Sequence, residues 1–173
     1  FSLGTLDQGF YPDGLYTAAN EEAMIYDMQK LKDLGFNTIR KHMKVEPARY
    51  YYYTDKLGFL VWQDMVAGDI LNSNWDNQHM DGGEDKPRSA ESKQNYYDEW
   101  NDIINYCKFF QSIIVWIPFN EAWGQFDTEK VSNYTRDKDS SRLINSASGG
   151  NFRRCGDILD LHYYPEPAYF LNE

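Results

Sequence analysis

The sequence is short of several things, and each shortage excludes a class. Its 173 residues hold two cysteines, Cys107 and Cys155, and neither sits in a CxxC pair. That rules out a disulfide framework. Both read as buried thiols behaving as small hydrophobes, and a chain this long needs no staples, so the redox compartment stays open. The three histidines are isolated and show no ligand spacing, so no metal or cofactor is expected. Basic residues are outnumbered, with 17 Lys+Arg against 27 Asp+Glu and a formal net charge of -10. This excludes a nucleic-acid grip and adsorption to an anionic membrane. The longest apolar run, Ile113 to Phe119, is far below the roughly 20 residues that a spanning helix needs. There is no GxGxxG or GxxxxGK[ST] phosphate turn, internal repeat, low-complexity tract or linker. An acidic, Gly-rich stretch from Asp76 to Asp85 fails the calcium-loop spacing at Gln78 and Met80, and reads as a solvated loop. No signal peptide precedes Phe1, although a processed N-terminus would show none.

What is present is a core-forming chain, 42% hydrophobic and 25% charged, with 14 Tyr, 10 Phe and 5 Trp. That is ample for a core and for flat walls in a cleft. Leu3–Leu6 reads as a short strand. Asn20 caps a helix with Glu21 and Glu22 in its first turn, apolar Met24, Met28, Leu31 and Leu34 on one face, and Gly35 as the stop. Phe36–Arg40 is the second strand. Pro47 opens a helix with Tyr50, Tyr53 and Leu57 aligned, closed by Gly58. Phe59–Trp62 is the third strand, followed by a polar loop over about Asp69 to Arg88. Tyr96, Trp100, Ile103, Ile104, Cys107 and Phe110 form the clearest helical stripe. Ser112–Phe119 is a buried strand, Thr128 caps a helix running to about Lys138, and Leu143–Asn145 and Ile158–His162 are two further strands.

Six apolar strands alternating with amphipathic helices specify an α/β protein with a parallel sheet buried on both faces. Polar residues collect where each strand ends: Asp7, Arg40-Lys41-His42, Gln63-Asp64, Asn120-Glu121, Asn145-Ser146 and His162-Tyr163. In a (β/α)8 TIM barrel those ends converge on one mouth, where such enzymes place their chemistry. A doubly wound nucleotide binder would show a Gly-rich first turn, so the barrel is preferred. Glu121 follows seven apolar residues and stands beside Asn120, two positions before Trp123. Desolvation there favours the neutral acid, as a proton-donating carboxyl requires. The plainer alternative is an ordinary helix-start glutamate.

The stretches Leu34-Gly35-Phe36-Asn37-Thr38-Ile39-Arg40, Asp55-Lys56-Leu57-Gly58-Phe59-Leu60-Val61-Trp62-Gln63-Asp64 and Ile114-Val115-Trp116-Ile117-Pro118-Phe119-Asn120-Glu121 resemble, in this order, glycoside hydrolase family 2. That family contains the β-galactosidases, β-glucuronidases and β-mannosidases. The resemblance implies that Glu121 is the general acid/base of a retaining β-glycosidase and that Asn120 holds the sugar 2-hydroxyl. It further implies that Arg40 supports the catalytic carboxylates and that Tyr163 reaches toward the nucleophile. Asp64, Trp62, Trp123, His42 and His162 complete the substrate-binding set, with core packing the alternative for the tryptophans. Many members carry a histidine three places after the strand-two arginine. Met43 stands there in this chain, and His42 one place earlier. The cations Arg40, Lys41 and Lys44 hint at an acidic sugar, but solvated lysines are the simpler reading.

Retaining glycosidases use two carboxyl groups about 5–5.5 Å apart. The family's nucleophile is a Glu in a Glu-x-Gly context at a seventh strand, and neither Glu166 nor Glu173 fits that pattern. A full barrel takes roughly 250 residues. The expectation is therefore that residues 1–173 form one partial barrel of about six βα units, inactive alone, with the nucleophile beyond its end. Its partner is a β-glycoside or oligo- or polysaccharide, with flanking β-sandwich domains in the parent protein. A glycan-degrading role fits a periplasmic or secreted bacterial protein; the Asn133-Tyr134-Thr135 sequon is as readily chance. Two rivals stand beside this reading. One is a non-catalytic carbohydrate-binding or scaffold barrel. The other is a serine hydrolase built on Ser148, His162 and Asp160, which lacks the GxSxG elbow.

Overall fold

The structure, a computed structural model, describes residues 1–66, 68–69 and 84–164. The acidic Gly-rich stretch falls largely outside them, as do Glu166 and Glu173. Among the described residues five strands run β1 (Gly4–Asp7), β2 (Thr38–Lys41), β3 (Leu60–Asp64), β4 (Ile113–Ile117) and β5 (Leu143–Ile144), separated by four helices, α1 (Glu21–Asp33), α2 (Ala48–Leu57), α3 (Ala90–Cys107) and α4 (Thr128–Lys138). Every pairing is parallel and the spatial order is β1-β2-β3-β4-β5. A sheet that never reverses its order, joined by right-handed crossovers, carries all its helices on one face. This is the winding of a barrel, not of a doubly wound sheet.

Local chemistry explains the helix ends. The Asn20 side chain accepts from the Ala23 N–H at 2.8 Å, and Gly58 closes α2 in the left-handed conformation at φ 67°. Asp127, not Thr128, is the N-cap residue of α4, one place earlier than the sequence suggests. Pro47 likewise precedes the first residue of α2, whose buried face is Tyr50, Tyr51 and Thr54. Tyr51, which stacks on Phe110 at 5.1 Å and donates to Gln63 Oε1 at 2.6 Å, joins that face, while the expected Tyr53 and Leu57 pack against the core partly buried.

Register separates the two sheet faces. Asp7, Lys41, Gln63, Trp116 and Ile144 form one row across all five strands. The helices cover that side: Trp116 meets Trp100 of α3 edge-on at 5.7 Å, within a core that also holds Met28, Tyr51, Ile104 and Val131. The adjacent row, Leu6, Arg40, Trp62, Val115 and Leu143, faces the other way. Leu6 and Leu143, in the outer strands, remain about half exposed at 53% and 50%. This is the inner face of an open barrel.

Two expectations are corrected here. Ile158–His162 is not a strand: among the described residues β5 pairs only with β4, and the segment runs beside the sheet in irregular conformation. Side chains tether it instead. Asn145 Nδ2 donates to Asp160 Oδ2 at 2.7 Å, and the Ile144 N–H donates to Asp157 Oδ2 at 2.8 Å. Lys41 and Lys44 are not solvated but fully buried. Lys41 Nζ lies 3.1 Å from Asp7 and 2.5 Å from Glu46, and Lys44 Nζ lies 2.8 Å from Glu46. Lys44 also donates to the Gly9 carbonyl and sits 4.6 and 5.1 Å from the Tyr16 and Phe10 ring centres. Pairing repays the desolvation that an unpaired buried ammonium would suffer. The result fixes the β1–α1 loop, and with it Gln8 and Phe10, over the C-terminal end of the sheet.

Candidate active site

At that end lies a cavity of about 750 Å³, lined by Arg40, His42, Asn120, Glu121, Trp123, His162, Tyr163 and Tyr164, with Leu6, Gln8, Phe10 and Met43 completing the wall. Seven of the nine residues singled out from the sequence are among them. The other two stand behind. Asp64 is 1% exposed and is reached through Arg40 and His42, while Trp62 lies below Arg40 in the same row. Neither Lys41 nor Lys44 faces the cavity, so the cationic cluster hinted at in the sequence reduces there to Arg40 and the histidines.

Arg40 is the hub. Its Nε donates to Asp64 Oδ1 at 3.0 Å and its Nη2 to Asp64 Oδ2 at 2.9 Å, a two-pronged pairing suited to a planar guanidinium. The same Nη2 reaches Asn120 Oδ1 at 2.8 Å, which fixes the Asn120 amide with its nitrogen toward Glu121. His42 Nδ1 lies 2.9 Å from Asp64 Oδ2, and the Met43 N–H donates to the same oxygen at 3.1 Å. His42 therefore leans on the Arg40 partner at the cavity rim.

Glu121 is set by backbone geometry. Glu121 and Ala122 both adopt left-handed conformations, at φ 49° and 62°. Such residues cost on the order of 1–3 kcal/mol each and persist where the surroundings over-determine them. Here the Glu121 N–H donates to the Ser148 carbonyl at 2.8 Å, the Ser148 N–H donates to the Phe119 carbonyl at 2.8 Å, and the Trp123 N–H closes the turn onto Asn120 at 2.9 Å. No helix starts at Glu121, so the plain helix-start reading is set aside.

Glu121 is buried at 7% exposure, and Asn120, His162 and Tyr164 are among its side-chain partners. Its Oε2 accepts from Asn120 Nδ2 at 3.3 Å, its Oε1 lies 3.0 Å from His162 Nδ1, and the Tyr164 hydroxyl donates to Oε1. Desolvation pushes its pKa up, but the hydrogen bonds from Tyr164, His162 and Asn120 and the charge of His162 outweigh it, so the net shift is downward. This corrects the expectation of a desolvated, neutral acid. Tyr164 answers in the opposite sense: burial and the neighbouring Glu121 carboxylate push its hydroxyl to about 12.

Sequence reasoning missed Tyr164, Gln8, Phe10 and Met43. Tyr164 had a signal, because it stands two residues after His162 and an extended segment turns both to one side. Ser148, Asp160 and His162 do come together, with Ser148 Oγ 2.5 Å from Asp160 Oδ2 and 2.9 Å from His162 Nε2. Ser148 is fully buried, however, and its Oγ does not line the cavity. A nucleophile must reach its substrate, so the serine-hydrolase reading is set aside. Among the described residues no group of three or more His, Cys, Asp or Glu is placed to hold a metal, and no helix is long and apolar enough to cross a membrane.

A singly wound parallel sheet that gathers an arginine, a strand-end glutamate and aromatic rings over its C-terminal edge belongs to the TIM-barrel class. The sequence matches the family described as "Glycosyl hydrolases family 2, TIM barrel domain" over residues 17–167. The chain belongs to this family. It is 29% identical over 129 residues to a protein of Formosa agariphila named as a beta-glucuronidase, covering 72% of this chain and 11% of that protein. It is 26% identical over 126 residues to a beta-galactosidase of Priestia megaterium, covering 71% and 12%. In fold it is similar to a beta-glucuronidase of Bacteroides uniformis, with TM-score 0.63 and 20% identity over 83% of this chain and 18% of that one. A beta-galacturonidase of Eisenbergiella tayi, bound to galacturonate, gives TM-score 0.56 and 19% identity over 82% and 24%. The chain thus spans about a tenth of the length of these two sequence relatives.

Proposed function

We propose that the chain contributes the acid/base half of a retaining β-glycosidase site, with Glu121 as the general acid/base. The carrying observation is Glu121 itself: a buried carboxyl, turned by a left-handed backbone into the cavity and bonded to Asn120 and His162. In the first step the Glu121 proton passes to the glycosidic oxygen as the bond from that oxygen to the anomeric carbon breaks. A second carboxylate forms the new bond to that carbon. In the second step water attacks the anomeric carbon, gives its proton to the Glu121 carboxylate, and releases the nucleophile. We assign the second carboxylate to the part of the parent polypeptide outside these 173 residues.

The downward shift on Glu121 suits the second step, in which the carboxylate must accept a proton. The first step needs the protonated form. A nucleophile carboxylate at about 5–5.5 Å supplies the opposing charge, since like charges disfavour ionisation. Asn120, held through Oδ1 by Arg40, presents its Nδ2 to the cavity side for the sugar 2-hydroxyl. Trp123, Tyr163 and Phe10 offer rings for sugar faces, and His42 and His162 polar contacts. Asp64 and Trp62 act from behind Arg40. The substrate class is a β-linked glycoside or glycan, and flanking domains of the parent protein complete the binding groove.

The test compares the full-length protein with Glu121→Gln on an activated aryl glycoside and on a disaccharide. An acid role predicts a far larger loss on the disaccharide, whose leaving group needs the proton. Equal losses overturn it. Sugar binding by the full-length protein with no turnover of either substrate favours the scaffold barrel instead.

A further inference from the structure

The most unusual polar arrangement in the molecule lies behind Glu121. His162 is bonded at both ring nitrogens: Nδ1 is 3.0 Å from Glu121 Oε1, and Nε2 is 2.9 Å from Ser148 Oγ. Ser148 Oγ is in turn 2.5 Å from Asp160 Oδ2, and Asp160 is anchored at that oxygen by Asn145 Nδ2 at 2.7 Å. The result is a chain of four groups, Asp160–Ser148–His162–Glu121, with a carboxylate at each end.

Counting protons along it fixes its direction. A serine hydroxyl has one proton. The 2.5 Å approach to a carboxylate oxygen places that proton between Ser148 and Asp160, because two unprotonated oxygens would repel at that distance. Ser148 then accepts from His162, so Nε2 carries a proton. Glu121 is an acceptor when ionised, so Nδ1 carries one as well. Both ring nitrogens are donors, and the imidazolium sits between two carboxylates. The other groups facing the ring are Arg40, whose Nη1 lies 3.4 Å from Nε2 and opposes the positive charge, and the Tyr164 hydroxyl, 3.4 Å from Nδ1. The two carboxylates outnumber the one guanidinium, which is itself engaged by Asp64.

The ring is also fixed in place sterically. Gly149 stands at φ 61°, and a Cβ there would lie 2.2 Å from the ring carbon Cγ of His162. Only glycine lets the ring lie against the chain at this point.

We propose that His162, held by Ser148 and Asp160, is the positioning and proton-storing partner of Glu121: the pair shares one proton, which rests on His162 Nδ1, shifts to Glu121 when Glu121 acts as the acid, leaves on the glycosidic oxygen, and is replaced in the second step by the proton that Glu121 takes from water. This rests on the acid/base reading of Glu121. Transfer is a simple shift along the 3.0 Å contact, leaving the imidazole neutral with its Nε2 proton still directed at Ser148. No atom is gained or lost. The proton available to the glycosidic oxygen is therefore held by the pair and not by the carboxyl alone.

The experiment measures kcat/KM against pH for the full-length protein on a glycoside with a poor leaving group. His162→Gln is expected to move the alkaline limb about one pH unit or more toward acid, since the limb then reports a carboxyl alone. Asp160→Asn and Ser148→Ala are expected to move it the same way by less, and they decide the matter should the His162 variant not fold. A uniform fall at every pH with the limb unmoved overturns the proposal. In wild type, nitrogen NMR of the His162 ring at the activity optimum should show both nitrogens protonated or in exchange with one proton on Nδ1. A ring with Nδ1 permanently bare overturns it too. Full activity of Glu121→Gln on the same substrate would instead remove the acid/base reading beneath it.

Discussion

Arg40 and Asp64 meet through two parallel hydrogen bonds, 3.0 and 2.9 Å long, with the carboxylate 1% exposed. The pair links β2 to β3 at the C-terminal end of the sheet, and it anchors both the Asn120 side-chain oxygen and His42 Nδ1. Its value lies in orientation more than in stability, because burying two charges offsets much of their attraction.

Breaking the pair from one side is a different matter. Arg40→Ala leaves Asp64 buried with His42 and one backbone N–H, and a loss of about 3–5 kcal/mol in unfolding free energy is expected. Arg40→Lys keeps the charge but not the fork, so it should lose less stability while Asn120 loses its anchor. Urea unfolding measures the first effect. Activity measures the second, as a fall in kcat with a smaller change in KM.

Gly149 gives a second test. Alanine at φ 61° costs on the order of 1–3 kcal/mol, and its methyl would collide with the His162 ring. Gly149→Ala is therefore expected to shift the alkaline limb of kcat/KM in the same direction as His162→Gln. A stability loss with an unchanged pH profile would mean that the ring tolerates displacement.

Asp139 is a structural carboxylate far from the cavity. It accepts from Trp116 Nε1 at 3.1 Å, from Arg142 Nη1 at 2.5 Å, and from the Ser141 N–H and hydroxyl at 2.9 and 2.6 Å. Desolvation opposes its ionisation, yet these bonds prevail and its pKa is lowered. A depressed folded value means that the contribution is complete above the ordinary carboxylate pKa of 3.8 and fades as pH falls through the lower, folded value. Asp139→Asn should cost about 1–3 kcal/mol near neutral pH. The gap between variant and wild type should narrow below that pKa, which unfolding titrations at several pH values would read.

The cysteines differ sharply. Cys107 is fully buried, and burial pushes its thiol up to about 12, against smaller opposing effects from Tyr51 and Arg142. Cys155 is half-buried beside Ser132. A maleimide should label Cys155 in the native protein and Cys107 only on unfolding, as read by mass spectrometry. Equal native rates would contradict the packing of α3.

Much of this was legible in the sequence where the information is local. The Asn20 cap, the Gly35 and Gly58 stops and the stripe along α3 each depend on neighbours within a few residues. The barrel winding followed from polar residues at successive strand ends. What the sequence hid was set by partners far along the chain. The alternation through Ile158–His162 suggests a strand, but Asp157 and Asp160 spend their hydrogen-bonding capacity on β5 and Ser148, and no ladder forms. The apolar run before Glu121 suggests desolvation alone, whereas His162 and Tyr164, more than forty residues on, reverse its effect. Lys41 and Lys44 look solvated in a polar stretch until Asp7 and Glu46 close on them.

The most direct measurement uses Glu121→Ala in the full-length protein on an aryl glycoside with a good leaving group, with and without azide. Removing the base should stall the second step and let a glycosyl-enzyme accumulate. Azide, which needs no base, should then restore turnover and yield a glycosyl azide of the same anomeric configuration as the substrate. No rescue by azide, with free sugar as the sole product at the wild-type rate, would contradict the role given to Glu121.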